Sequence, residues 1–261
     1  MLSEVARQTR LDALWKHVFG PEHKPVKTYK PRIRHRNMRG RFPTEKCRST
    51  GMIRTRLPLM LDGLVHLDTD PNVVAIAAYP TTFDFLSANG DGNVVGRSHI
   101  PDVGVLQASG KVVFVDWIPF RLQQDLPWLK QRTAELRLHL EQYGAEYAVH
   151  DERSIYIQPR FSNLNLMEAH KPLPYQHAGI DETCRAIMRQ PLPSTIGELC
   201  RMSAPNALVA RWEDEPAGAF RVVPEVNVVF TACMQLAYRG EIELDISRPF
   251  SPRTRVTRAK A

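Results

Sequence analysis

The pattern of apolar and polar residues predicts two helices before a region of strands. Leu2 to Phe19 carries apolar residues at helical spacing, and the apolar run from Leu57 to Leu67 also predicts a helix. Short runs rich in β-branched and aromatic residues follow, separated by turns. They predict strands over 73–80, 81–87, 94–107 and 111–118.

A third helix follows these strands and precedes the last strands of the region. An amphipathic pattern predicts a long helix from about Leu122 to Tyr143, with Gly144 as its C-cap. Residues 145–150 and 154–159 predict one or two further strands. The order of elements indicates an α/β fold in which helices flank a mixed sheet.

The pattern changes again after Asn165. Helices are predicted over 181–189, 194–202 and 226–238, with Glu198 placed for a capping box, and a strand over 242–247. Short helices followed by a strand favour a C-terminal winged-helix-like domain, and a small helical dimerisation domain is the alternative. We therefore predict an N-terminal helix and linker (1–26), a core domain (27–168) and a C-terminal domain with a basic tail (169–261).

The net charge of +7 belongs to two segments. Lys27 to Arg56 holds eleven Lys or Arg and one acid, and Arg248 to Lys260 holds five more and no acid. Such concentrated charge is typical of binding to a nucleic-acid backbone, while a solvated arm, an RNA contact or an acidic protein partner are alternatives. The predicted DNA-binding residues are Lys27, Lys30, Arg32, Arg34, Arg36, Arg39, Arg41, Lys46 and Arg48.

Composition excludes several other classes. No apolar run approaches the ~20 residues of a membrane span, and the N-terminus lacks the features of a secretory signal. The cysteines form no CxxC pair, which argues against a structural zinc site and favours reduced thiols (Cys47, Cys184, Cys200 and Cys233). We expect a protein of the bacterial cytosol, associated with the nucleoid.

Two acids in the strand-rich region are candidates for metal-dependent chemistry. Asp102 lies in the segment His99-Ile100-Pro101-Asp102-Val103, and thirteen residues separate it from Asp116, which comes near the end of an apolar strand. Acids on neighbouring strands can hold Mg²⁺, which activates water and neutralises charge during phosphodiester cleavage. A nearby lysine usually assists by stabilising that charge.

The order of several motifs resembles that of the TnsA-like transposon endonucleases, which have a PD-(D/E)xK site. The motifs are RGRFPTEKCR, LVHLDTDPNVV, SHIPDVGV, GKVVFVD and IQPRFSNLNLMEAH, and the resemblance covers residues 30–255. It implies a restriction-endonuclease-like core, a C-terminal winged-helix region and double-stranded DNA as ligand. It also implies a transposase and an ATPase regulator as protein partners.

Compared residue by residue, the resemblance predicts an incomplete nuclease site. Asp102 matches the metal-binding acid and Asp116 stands where the family has Glu or Gln, but Ile118 stands at the catalytic lysine. Met60 stands at the acid of the first helix, and Asp62 would point elsewhere on that helix.

Three functions remain open from the sequence. The first is a DNA-binding TnsA-like subunit with an impaired site, acting as an architectural partner of a transposase. The second is an active Mg²⁺-dependent endonuclease in which Lys130 replaces the lysine, because Lys111 lies at the far end of its strand. The third is a winged-helix DNA-binding regulator. His99 is a candidate phosphate contact, and Trp117 and Trp128 are interpreted as packing residues.

Overall fold

The structure is a computed structural model that describes residues 12–28, 40–88, 93–172, 178–202, 209–210, 221–222 and 228–259. The chain divides into two units. The first comprises Met1–Asp68 and Asn72–Tyr156, and the second Thr69–Pro71 and Ile157–Ala261. The sequence predicted the boundary between the core and the C-terminal domain after residue 168. In the structure the helix Arg160–Ala169 already belongs to the second unit.

The first unit contains helices and strands in alternation. Its helices are α1 (12–18), α2 (Pro58–Asp68), α3 (Phe120–Asp125), α4 (Pro127–Glu141) and α5 (Glu152–Ile155). Its strands are β1 (Arg41–Pro43), β2 (Met52–Arg54), β3 (Val73–Ala78), β4 (Phe83–Ala88), β5 (Val94–His99), β6 (Val103–Gln107), β7 (Val112–Trp117) and β8 (Ala145–His150).

A four-stranded mixed sheet organises this unit, which confirms the predicted α/β class. Its strand order is β3-β6-β7-β8; β3, β6 and β7 are antiparallel, and β8 runs parallel to β7. The parallel step requires a crossover, which α4 supplies. Strand β7 is buried along almost its whole length, as expected of a strand in the middle of a sheet.

The core of the first unit lies between the sheet, α4 and the β4–β5 hairpin. Strand β4 alternates buried and exposed residues, so that Phe83 and Phe85 face inward. The rings of Phe83 and Phe114 meet edge to face at 4.8 Å between centroids. Leu136 and Leu140 of α4 are fully buried against the same cluster. This packing fixes α4, and with it the side chains α4 directs toward the sheet.

Two predicted elements of this unit were wrong in their bounds. The predicted helix over 122–143 is two helices, because Pro127 begins α4 and holds Leu126 in an extended conformation. The predicted strand over 94–107 is two strands separated at Ile100-Pro101. Of the helix predicted from Leu2 to Phe19, residues 12–18 are helical and residues 1–11 lie outside the described part of the chain.

The predicted strand over 154–159 does not form. Asp151 instead caps α5, with its side chain accepting from the backbone N–H of Arg153 and Ser154 completing a capping box. The chain then leads through Pro159 into α6, so helix capping prevails over the apolar pattern at these positions.

The second unit combines four helices with short strands in the part that the structure describes. The helices are α6 (Arg160–Ala169), α7 (Ala178–Met188), α8 (Ile196–Met202) and α9 (Val228–Tyr238). The strands are β9 (Ser194–Thr195), β10 (Val209–Ala210), β11 (Arg221–Val222), β12 (Ile242–Leu244) and β13 (Arg255–Arg258). One antiparallel sheet has the order β12-β13-β9, and β10 pairs with β11.

The capping box of α8 and the basic tail are two predicted features of the second unit that the structure describes. The capping box of α8 is confirmed: the Thr195 N–H donates to Glu198 Oε2 at 2.9 Å, and the Glu198 N–H donates to Thr195 Oγ1 at 3.2 Å. The predicted basic tail is partly folded, because β13 lies within it and Val256 is fully buried. Among the described residues, no helix is long and apolar enough to cross a membrane.

Gly63 allows α2 to pack against the sheet, and we predict that Gly63→Ala destabilises the protein. A Cβ at this position would collide with the indole of Trp117, which is fully buried. Overpacking of this kind lowers the free energy of unfolding by about 2 kcal/mol. Urea denaturation measures the change, and Gly96→Ala is the matched control because a Cβ there meets open space. Equal stability of the two variants would contradict the packing argument.

Candidate functional site

The two candidate acids lie side by side in the middle of the mixed sheet. Asp102 immediately precedes β6 and Asp116 lies on the antiparallel neighbour β7, where Val103 pairs with Val115. Both carboxylates are almost completely buried. The backbone N–H of Asp102 donates to Asp116 Oδ1 at 2.9 Å, so the sheet itself fixes the separation of the acids. The structure therefore brings together the pair that the sequence predicted.

Arg56 pairs with Asp102 through two hydrogen bonds. Its Nε donates to Oδ1 at 2.5 Å and its Nη2 donates to Oδ2 at 2.7 Å. Nη2 also donates to the carbonyl of Trp117 at 2.7 Å, and the Trp117 N–H donates to Asp102 Oδ2 at 3.0 Å. A planar guanidinium matches a carboxylate in this two-point geometry better than an ammonium does. Arg56 thereby binds both the acid and the neighbouring strand.

Asp116 is held by three side chains at its other oxygen. Oδ2 accepts from Tyr147 at 2.5 Å, pairs with His99 Nε2 at 2.7 Å, and lies 3.3 Å from Arg132 Nη2. These residues come from β8, β5 and α4, so three separate elements converge on one oxygen. His99, predicted as a candidate phosphate contact, is here a partner of the acid.

The surroundings shift the pKa values of the two carboxyl groups in opposite directions. Burial and the neighbouring Asp116 charge raise the pKa of Asp102, although Arg56 and the Trp117 N–H act against the increase. Burial alone would raise the pKa of Asp116 too, but the hydrogen bond and charge of His99, the hydroxyl of Tyr147 and the charge of Arg132 lower it. As the pH falls, the first proton therefore binds to Asp102.

The residues around the acids do not fit the Mg²⁺ ion that the resemblance implies. Each of the four carboxylate oxygens already accepts a hydrogen bond from the protein, and two guanidinium groups lie within contact distance. A hard divalent cation needs free oxygen ligands and is repelled by neighbouring cations. The described residues contain no group of three or more His, Cys, Asp or Glu arranged to hold a metal ion.

The structure separates Lys130 from the two acids. Lys130 is an exposed residue that lines a cavity of about 260 Å³ together with Ile118, Gln123 and Arg137, and neither acid belongs to that cavity. Lys111, at the other end of β7, pairs with Glu146 at 2.8 Å. The cations that pair directly with the acids are Arg56 and Arg132, and neither was among the predicted site residues.

The remaining positions of the predicted site also have structural roles. Met60 is fully buried in α2, and the hydroxyl of Tyr79 donates to its sulfur at 3.6 Å. Asp62 accepts a hydrogen bond from Tyr156 at 2.6 Å, so it points away from the acids as predicted from the helical period. Trp117 is buried against Gly63, which confirms the prediction that it faces into the fold.

Four of the nine predicted DNA-binding residues lie in the described part of the chain. Arg41 and Arg48 are exposed, and Lys27 lines a cavity beside the two acids. Lys46 instead donates to the carbonyls of Leu67 and Asp68 at 3.2 and 2.6 Å, which stabilises the C-terminus of α2. The others lie outside the described residues: Lys30, Arg32, Arg34, Arg36 and Arg39.

A cavity of about 510 Å³ opens above the two acids. Arg56, Arg132, Lys27 and His99 contribute its polar wall. Trp128 stands at its edge with 46% of its surface exposed, and the Arg132 guanidinium lies 5.6 Å from the centre of the Trp128 ring. The helical spacing of four residues between Trp128 and Arg132 could have indicated that they share a face.

We predict that the two acids affect stability oppositely as the pH falls. Ionised Asp116 stabilises the fold above its ordinary pKa of 3.8, and this contribution is lost as the pH falls through its lower folded-state value. Asp102 contributes to stability in the opposite way because its pKa is raised. As the pH falls toward 3.8, Asp102 binds a proton in the folded state before it would in the unfolded state, and this stabilises the fold. In thermal melts at decreasing pH, the stability deficit of Asp116→Asn relative to wild type shrinks and that of Asp102→Asn grows. Parallel pH profiles for the two variants would contradict this assignment.

Comparison with known proteins adds no family to this description. No protein-family model matches the sequence, and no curated protein matches it. The likeness to TnsA-like endonucleases consequently depends on the ordered motifs, of which SHIPDVGV and GKVVFVD carry the paired acids.

Proposed function

We propose that this protein is a DNA-binding, TnsA-like subunit of a transposition system whose restriction-endonuclease-like core binds DNA without cleaving it. The observation that carries the proposal is the two-point pairing of Arg56 with Asp102, which places a cationic donor on both oxygens of the acid that would bind the metal. The neighbouring antiparallel strands that carry Asp102 and Asp116 support the core fold implied by the resemblance.

The chemistry of hydrolysis lacks two components in this site. A metal-bound water is the usual nucleophile in phosphodiester cleavage, and a metal here would compete with a protein donor at every carboxylate oxygen and be repelled by two guanidinium groups. Ile118 stands where the lysine would stabilise the developing charge, and an apolar side chain cannot do so. The exposed position of Lys130 in a different cavity does not support the alternative of a rearranged active site.

The β1–β2 hairpin supports binding to the DNA backbone. Arg41 and Arg54 are cross-strand partners and both are exposed, whereas Phe42 and Ile53 on the opposite face are buried. Two like charges directly opposite each other destabilise a hairpin unless an anion lies near them. The hairpin lies within the basic segment from Lys27 to Arg56, so a phosphate backbone is the ligand that this surface fits best.

The second unit supports a binding role through its loops rather than through α9. The order α7-β9-α8-β10-β11-α9-β12-β13 and the sheet order β12-β13-β9 are compatible with a winged-helix-like domain with a β10–β11 insertion, in which α9 would be the recognition helix. However, α9 carries no basic residue and is buried along most of its length. Such a helix cannot read base edges, which argues against the alternative of a winged-helix regulator.

Exposed arginines of the second unit lie around the β12–β13 turn: Arg248, Arg253 and Arg255. Asn163 orders this turn by donating to the carbonyls of Ile246 and Arg248 and by accepting from the Phe250 N–H. An ordered cationic turn suits contact with a phosphate backbone. The transposase and the ATPase regulator remain the protein partners that the resemblance implies.

Cleavage is tested with supercoiled plasmid in the presence of Mg²⁺ or Mn²⁺. We expect the wild-type protein to nick the plasmid no faster than Asp102→Ala, because the carboxylates are occupied by protein donors. Agarose-gel electrophoresis measures the nicked fraction. Metal-dependent nicking that disappears in Asp102→Ala would overturn the proposal that the core does not cleave.

Binding is tested by fluorescence anisotropy with a blunt DNA duplex at several salt concentrations. We expect Arg54→Gln to weaken binding and to reduce the slope of log K against log salt by about 0.9, the value for one lost phosphate contact. Lys111→Gln removes the same charge from the far end of β7, where the lysine pairs with Glu146, and is the matched control. Equal affinities of the two variants would remove the hairpin from the interface, and absence of binding by the wild type would overturn DNA binding itself.

A further inference from the structure

The cavity above the acids has an excess of positive charge. Its wall contains the cations Lys27, Arg56 and Arg132 and the two carboxylates Asp102 and Asp116. Arg56 and the two acids neutralise one another in part, so the wall as a whole attracts an anion. Ser98 and Thr82 add hydroxyl groups at the same wall. This composition suits a phosphate group far better than a cation.

Arg132 is the residue whose hydrogen bonding is least satisfied there. Its side chain is 16% exposed, and its Nη2 makes a long 3.3 Å contact with Asp116 Oδ2. The buried Nε of Arg132 has no hydrogen-bond partner among the described residues. A buried donor on a charged group is costly unless it is paired, so a bound acceptor would stabilise it. The position of Arg132 in the cavity wall makes a ligand oxygen a suitable partner.

Trp128 extends the cavity with a partly exposed aromatic surface. It precedes Arg132 by one helical turn on α4, and the two side chains are in cation–π contact at 5.6 Å. Leu122 and Leu126 line the same edge, and Leu122 is 45% exposed. An aromatic platform beside a phosphate-binding guanidinium is the arrangement that proteins use for unpaired nucleotides. A base within a duplex offers no free face to such a platform.

The geometry points to a binding site for one unpaired nucleotide of DNA, with the phosphate at Arg132 and Arg56 and the base stacked on Trp128. This assignment rests on the proposed function, because it presumes that DNA reaches the core. It gives the cavity a preference that the β1–β2 hairpin lacks: the hairpin binds any phosphate backbone, whereas the cavity selects DNA with a frayed end or a single-stranded overhang.

The preference is tested by fluorescence anisotropy with two probes, a blunt duplex and the same duplex with a short oligothymidine overhang. We expect the wild type to bind the overhang about tenfold more tightly, as stacking of one base provides. Trp128→Ala should bind both probes equally, while Trp128→Phe should keep most of the preference because phenylalanine still stacks. Trp128 is half exposed, so neither substitution opens a core cavity.

A matched pair on α4 tests the phosphate end of the site. We expect Arg132→Gln to weaken overhang binding about tenfold more than Lys130→Gln, which removes the same charge but lies in the other cavity. Loss of affinity in Arg132→Gln with no change in Trp128→Ala would overturn the nucleotide assignment, since only an anion site would remain.

The two proposals fail in different ways. Equal binding of blunt and overhang probes by the wild type would overturn the nucleotide site and leave DNA binding intact. Failure to bind either probe would overturn both. The Trp128 variants keep the nucleotide site falsifiable if Arg132→Gln does not fold.

Discussion

Two carboxylates buried on adjacent strands impose the constraint that organises the first unit. Like charges so close together in a poorly polarisable interior require compensation, and an ion or the protein must provide it. Here the protein does so: Arg56 binds Asp102, and Arg132, His99 and Tyr147 converge on Asp116. These partners come from the loop before α2 and from α4, β5 and β8, so the pair connects these elements to strands β6 and β7.

The acids and their strands could be predicted from the sequence because they depend on local pattern. Runs of β-branched and aromatic residues placed Asp102 and Asp116 on neighbouring strands, and the alternation of side chains along a strand placed Trp117 on the face opposite Asp116. The break between α3 and α4 was more difficult to predict. The apolar period continues through Leu126, and α3 ends only because a residue before proline is restricted in its backbone conformation.

The compensating charges could not be predicted in the same way. Arg56 lies 46 residues from Asp102 in the chain, and nothing in its local sequence separates it from the other arginines of the basic segment. Lys130 was the predicted residue on α4, but Arg132 reaches the acid because residues two apart on a helix face different directions. Tertiary packing decides such choices, and a period alone does not specify which face of α4 meets the sheet.

The Arg56–Asp102 pair also restricts how this site can evolve. Replacing Ile118 by lysine would add a further cation beside Arg56 and Arg132 while the carboxylate oxygens stayed occupied. Losing Arg56 first would leave buried carboxylate charge without its partner, which destabilises a fold strongly. Either order passes through a less stable protein, so a metal site could form at these acids only through coordinated substitutions. The pairing therefore makes each acid and its arginine mutually dependent: neither partner can be exchanged alone without a loss of stability.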